Sequence, residues 1–213
     1  MSDLIEYTQS SYVRNNNGYR FILVVIDAFS RFAHTRPLKT KTAEEVSGQI
    51  DNIFAGMTYT PSYFASDKGK EFMHTNKFIR KRVIEKYNVK MYYMSGKRKG
   101  SIVERWNRTF KSTLERYFEH ISTSPDIRKR KRWIDVLEDI TNNINNRVNR
   151  SIQMKPADVT VADNARLREL LYGSDKPLKK CRFSIGDKVR IPEKTDIFSK
   201  GYRKSMNFSG NSN

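Results

Sequence analysis

Apolar residues follow two periods along this chain, and the switches between them mark its elements. Residues 3–7 (Asp-Leu-Ile-Glu-Tyr) read as a short strand and residues 20–26 (Arg-Phe-Ile-Leu-Val-Val-Ile) as a buried one. Turn chemistry at Asn15, Asn16, Asn17 and Gly18 joins them into an antiparallel hairpin. Residues 32–38 give a third strand, closing at Pro37. Thr42 and Glu45 then have capping-box spacing, which opens a helix running to about Phe54. Residues 62–66 form a fourth strand that delivers Asp67 at its C-terminal end, before a turn at Lys68, Gly69 and Lys70. Residues 76–87 are a basic helix with Phe78, Ile79, Val83 and Tyr87 facing inward, and residues 89–93 are a fifth strand. A loop over residues 94–100, carrying Lys97, Arg98 and Lys99, leads into the next helix.

That helix is amphipathic. Val103, Trp106, Phe110, Leu114 and Tyr117 share one apolar stripe at helical spacing, whereas Glu104, Asn107, Arg108 and Lys111 share a polar face. One acid with an amide and two cations at these spacings reads either as a solvated salt-bridge ladder or as part of a site. Beyond it, residues 133–148 continue as a helix with Ile134, Leu137, Ile140, Ile144 and Val148 in register, and residues 164–172 as a short one. Composition shifts near residues 173–177, and residues 183–191 alternate as a strand of a small β module that the last residues do not complete. The order β-β-β-α-β-α-β-α predicts an α/β fold. It places Asp67 at the sheet edge where such folds carry their chemistry.

Charge narrows the partners. Lys and Arg number 41 against 23 acids, a formal charge of +18, and the excess is spread along the chain. Such a field attracts polyanions, so nucleic acid is the expected partner, with salt-sensitive binding; a basic binder without chemistry has the same composition. Residues 128–132 are a basic run that reads equally as a loop against phosphates or as a nuclear-localisation signal. No run of 18 or more apolar residues and no signal-peptide pattern occurs, so a soluble intracellular protein without membrane contact is expected. One cysteine, Cys181, and three histidines, His34, His74 and His120, exclude a disulfide framework and a paired Cys/His zinc site. These histidines read as surface or packing residues, and Trp106 and Trp133 as core.

Candidate chemistry rests on carboxylates. Asp67 and Glu104 are joined by one helix, one strand and one loop, a connection able to bring both to the same sheet edge. A third acid from the first hairpin, Asp3, Glu6 or Asp27, could join them. Three converging carboxylates are hard oxygen ligands suited to Mg²⁺ or Mn²⁺, and two such ions can activate an attacking oxygen and stabilise a leaving one at a phosphodiester.

Four segments carry a resemblance: residues 3–7, residues 22–32 (Ile-Leu-Val-Val-Ile-Asp-Ala-Phe-Ser-Arg-Phe), residues 66–72 (Ser-Asp-Lys-Gly-Lys-Glu-Phe) and residues 102–109 (Ile-Val-Glu-Arg-Trp-Asn-Arg-Thr). In this order they resemble the catalytic core of retroviral integrases and transposases. With residues 183–191 and 198–202 following, the chain looks most like the integrases of Maverick/Polinton-type DNA transposons. The resemblance implies a ribonuclease H-like fold over residues 1–160, with a five-stranded mixed sheet flanked by helices. A helix and linker follow over residues 161–180, then an incomplete SH3-like β segment over residues 181–213. It implies DNA 3′-end processing and strand transfer by the D,D-E acids Asp3, Asp67 and Glu104, with Asp3 and Asp67 on one Mg²⁺ and Asp3 and Glu104 on a second. It further implies DNA contacts from Asn107, Arg108 and Lys111 and from Lys97 and Lys99 in an active-site loop, a homo-oligomer, and a nuclear location. The other readings are a relic nucleic-acid binder without activity and a nuclease of the same fold acting on RNA–DNA hybrids.

Overall fold

The computed structural model describes residues 1–94, 101–121, 131–173, 186–188, 190–192 and 206–208. The chain divides into two compact units, Met1–Tyr172 and Gly173–Asn213.

In the first unit, β1 (Ser2–Glu6), β2 (Phe21–Ile26) and β3 (Ala33–Leu38) form an antiparallel sheet in the order β1-β2-β3. Every residue of β2 is buried, so its period of two splits the interior. Phe21, Leu23 and Val25 enter one core with α2 (Ala43–Ala55), whereas Ile22, Val24 and Ile26 enter a second with α4 (Ser101–Ile121) and α5 (Leu137–Asn145). A sheet covered by helices on both faces is the α/β architecture expected. Its partner ladder is a parallel pair, β4 (Tyr63–Ser66) with β5 (Lys90–Tyr93), running beside β1. Among the described residues these five strands form two ladders, three antiparallel and two parallel, where the resemblance implies one mixed sheet.

Local chemistry explains the helices of the first core. Thr42 caps α2 by accepting from the Glu45 amide at 3.4 Å. The Glu45 carboxylate turns outward and accepts from the Lys39 and Thr40 amides, each at 2.8 Å. Asn76 caps α3 (Lys77–Ile79), which widens into a π-type segment, Arg80–Glu85. This element buries Ile79 and Val83 against α2 and β4. On α4, Val103, Trp106, Phe110 and Leu114 are buried in the second core with Trp133, as the helical stripe predicts.

Two elements depart from the sequence expectation. A short helix, α1 (Ser10–Asn15), occupies the connection read as a plain turn. The helix predicted over residues 133–148 is limited to α5, Leu137–Asn145. Both departures centre on Asn16. Its side chain is fully buried; its Nδ2 donates to the Tyr12 carbonyl at 2.7 Å and to the Lys131 carbonyl at 2.9 Å. Its Oδ1 accepts from the Trp133 and Ile134 amides at 2.7 and 2.9 Å. The Lys131 carbonyl and the Trp133 and Ile134 amides are therefore satisfied by a distant side chain, and helix begins only after them. At the other end of α5, Asn145 bonds both backbone groups of Ala33, closing the edge of β3. The last helix of this unit is α6 (Asn164–Tyr172).

In the second unit, β6 (Arg190–Pro192) pairs antiparallel with β7 (Met206–Phe208). Residues 183–185 and 189 of the predicted strand, and residues 198–202, lie outside the described residues. No described helix is long and apolar enough to cross a membrane.

Replacing Asn16 by Ala orphans two buried amides at once. At about 1–3 kcal/mol for each buried unsatisfied group, Asn16→Ala is expected to lower unfolding free energy by about 2–6 kcal/mol, read from the midpoint of urea denaturation.

Candidate active site

Strand periodicity decides where Asp3 points. It lies opposite Val24 and shares a face with Ile5, both of which line the core covered by α4. Leu4 points into the other core, and Glu6, on Leu4's face, is exposed and ion-paired with Lys41 at 3.2 Å. The ladder runs on to Met1, whose carbonyl accepts from the Ile26 amide at 2.8 Å, so Asp3 is seated within paired strand. Of the hairpin acids, Asp3 is the one directed at α4.

Both Asp3 oxygens are engaged. Oδ1 accepts from the Leu4 amide at 2.9 Å and Oδ2 from Asn107 Nδ2 at 2.7 Å. Burial raises the Asp3 carboxyl above its ordinary value, the Leu4 amide lowers it, the negative fields of Asp67 and Glu104 raise it further, and Lys111 counteracts them. Asp67 and Glu104 are thus electrostatic neighbours of Asp3. Glu104 is exposed in the first turn of α4, and Asp67 is exposed just after β4, where its Oδ1 accepts from the Gly69 amide at 3.0 Å. Asp67 and Glu104 act on Asp3 through their charge, and among the described residues no three His, Cys, Asp or Glu side chains are drawn close enough to hold a metal ion.

Asn107 differs from its predicted place. It is 8% exposed, turned from the polar face of α4 into contact with Asp3, so its amide orients an acid instead of standing free for DNA. Its Oδ1 is buried and has no hydrogen-bond partner among the described residues. Arg108 and Lys111 do stand exposed on the helix, whereas Lys97 and Lys99 lie outside the described residues. A fourth acid, Glu71, is a neighbour that sequence reasoning did not single out. A Cβ on Gly69 would come within 2.8 Å of the Glu71 carboxyl and 3.0 Å of Asp67 Oδ1. Gly69 thus permits the close approach of two acids across a turn, and the spacing Asp67-x-Gly69-x-Glu71 was the available signal.

Asp27 has a different task. Its Oδ1 accepts from the Phe29 amide at 3.1 Å, and its Oδ2 from the Ser30 amide at 3.0 Å, the Ser30 hydroxyl at 2.6 Å and the Tyr59 hydroxyl at 3.1 Å. It thereby fixes the turn between β2 and β3, where Arg31 adopts a positive φ of 64°. His34 is half-buried on β3, His74 contacts the Tyr93 hydroxyl at 2.7 Å, and His120 is exposed at the end of α4.

The comparisons with known proteins agree with this geometry at the level of fold. No protein-family model matches the chain. An uncharacterized transposon-derived protein of Caenorhabditis elegans is 35% identical over 197 residues, covering 92% of this chain and 63% of that protein, so the chain spans less than two thirds of its relative. Among solved structures, a chain of the simian T-cell lymphotropic virus intasome superposes with a TM-score of 0.60 at 15% identity, covering 98% of this chain and 65% of that one. The HTLV-2 integrase catalytic core domain, in a trimeric form with magnesium, gives 0.55 at 16% identity over 74% of this chain and 92% of its own. The catalytic core domain of BIV integrase gives 0.54 at 15% identity, with 78% and 94% covered. The first unit thus has the α/β fold of retroviral integrase catalytic cores.

Burial pushes the Asp27 carboxyl up, but the hydrogen bonds from Ser30, Phe29 and Tyr59 outweigh it and hold the group below its ordinary value of 3.8. A depressed folded value stabilises the protein fully above the unfolded value and loses that contribution as pH falls through the folded one. Asp27→Asn is therefore expected to be less stable than the native chain at neutral pH in urea denaturation, with the difference shrinking as pH drops below about 3.8.

Proposed function

We propose that the chain is the catalytic core of a transposon integrase that carries out DNA 3′-end processing and strand transfer, with Asp3, Asp67 and Glu104 as its catalytic acids. The observation that carries the reading is the electrostatic coupling of Asp67 and Glu104 to Asp3, itself held by Asn107, in a fold shared with retroviral integrase cores. The 35% identical transposon-derived relative supports the origin, and the sequence of residues 183–191 and 198–202 after the core motifs favours the Maverick/Polinton group within it.

The chemistry is two displacements at phosphorus. In end processing a water oxygen bonds to phosphorus as the bond to the 3′ oxygen breaks, leaving a 3′-hydroxyl. In strand transfer that hydroxyl oxygen attacks a target phosphodiester, and the target's own 3′ oxygen departs with the electron pair and takes up a proton. No oxidant or reductant is needed. The donor set of hard carboxylate oxygens fits a divalent cation, and the magnesium in the HTLV-2 core domain supports Mg²⁺. Held by Asp3, Asp67 and Glu104 as two ions, Mg²⁺ would supply neutralisation of phosphate charge and activation of the attacking oxygen.

The protein's own groups do the rest. Asn107 holds the Asp3 carboxylate in one orientation through the 2.7 Å bond, a preorganisation that rigid elements sustain better than loops. Lys111 and Arg108 project beside the acids, positioned to pair with phosphates next to the reacting one. The formal charge of +18 concentrates DNA at the surface. Assembly as a homo-oligomer is supported by the intasome and the trimeric core among the neighbours, and a chromosomal target implies a nuclear location.

The test is nicking and strand transfer on a labelled duplex with Mg²⁺ or Mn²⁺. Glu104→Gln, Asp67→Asn and Asp3→Asn are each expected to reduce product by about two orders of magnitude or more while DNA binding persists. DNA binding by the native chain without any metal-dependent product would favour a relic binder, and preferential cutting of RNA–DNA hybrid a nuclease.

A further inference from the structure

Helix α4 has a second polar side. Asn107 bonds Asp3, and Glu104 and Lys111 act on it through their charge, but Arg105 lines a separate cavity of about 440 Å³. Arg31 enters this cavity from the turn between β2 and β3, and Arg147 and Arg150 from the segment after α5, with Ser101 and Trp106 also lining it. No acid is among the described residues that line it. None of the four arginines has a carboxylate partner among the described residues, although several other cations of this chain do. Arg31 is half-buried; burial depresses its guanidinium, Tyr172 and Asp27 raise it in part, and Arg105 adds a smaller like-charge repulsion. The segment bearing Arg150 is itself ordered: Asn149 pairs with Met154, and its side chain accepts from the Ser151 amide at 2.9 Å.

Four arginines lining one cavity without an acid give it a positive potential, and an anion in the space would be held by it. The first residues of the 21-residue helix α4 border the same cavity, so the positive end of the helix dipole adds to the potential there. Guanidinium matches phosphate by paired N–H donors, and arginine is the cation suited to fixed, planar recognition of it.

We propose that this cavity is a phosphate-binding site that grips the DNA backbone beside the flank of α4 next to the one that carries Glu104. The inference rests on the reading of the chain as a DNA-acting protein but not on its catalysis. A helix with its side chains is about 10 Å across, so a strand held here and a strand at the acids are fixed relative to each other by one rigid element. The arginines would set the position of bound DNA, and the acids would act on it.

The experiment measures DNA binding in EDTA, where no cleavage occurs, so its failure is distinguishable from failure of the catalytic reading. Affinity for a duplex is followed against salt for the native chain, for Arg105→Gln with Arg147→Gln and Arg150→Gln, and for a control with Lys77, Lys81 and Lys90 changed to Gln. Arg31 is left intact because it donates to the Ala28 carbonyl in its turn. The arginine variant is expected to bind about tenfold more weakly, with a logarithmic salt slope shallower by about 1–2, while the control changes much less. Should the triple variant fail to fold, the single changes Arg147→Gln and Arg150→Gln carry the same comparison. Equal losses in both variants would mean a diffuse field and overturn the proposal. Native-like DNA binding by the arginine variant would overturn it too; loss of inorganic phosphate binding in that case would assign the cavity to a small anion, and loss of self-association to a protein contact.

Discussion

Strand β2 is buried on both faces, and its alternation fixes the direction of every polar group on the strands beside it. Each of its six side chains contributes about 1.5–3 kcal/mol by leaving water, so a one-residue slip that exchanged the two cores is strongly disfavoured. Asp3 is bound to that register. Paired with Val24, it must face α4, and α4 in turn is held by Val103, Trp106, Phe110 and Leu114 in the same core. The apolar packing thereby delivers Glu104 and Asn107 to Asp3 and leaves Asp27 to tie a turn.

Charge is then partitioned by one helix. Beside one flank of α4, burial and the charges of Asp67 and Glu104 raise the Asp3 carboxyl, and the Leu4 amide and Lys111 only partly offset them. Arginines line a cavity beside a neighbouring flank, without acids. Neither arrangement stabilises the isolated fold. Unfavourable like-charge groups held by a favourable core are what a site for a cation beside a site for a polyanion requires.

Much of this was legible in the sequence because it is periodic or local. The five strands of the first unit, the Thr42 cap, the α4 stripe and the place of Asp67 after a strand all follow from spacing within a few residues. What sequence did not disclose depends on contacts between distant residues. Asn16 reaches residues 131–134, so an expected helix starts late, and Asn145 reaches Ala33. Asn107 read as a surface residue because helical spacing puts it beside Arg108, and only the strand opposite shows that it is inside. The division of five strands into two ladders depends on how β4 meets β1, which no local pattern encodes. The arginine cavity was hidden for the same reason: its four residues come from three separate stretches of chain.

The central claim is that Asp3, Asp67 and Glu104 form one divalent-cation site. The most direct test is a crystal of the chain grown or soaked with Mn²⁺, with the ions located by anomalous scattering. The account predicts Mn²⁺ in contact with Asp3 and with Asp67 or Glu104, and its loss in Asp3→Asn. Manganese bound elsewhere, or none at Asp3 while the acids remain apart, would contradict it.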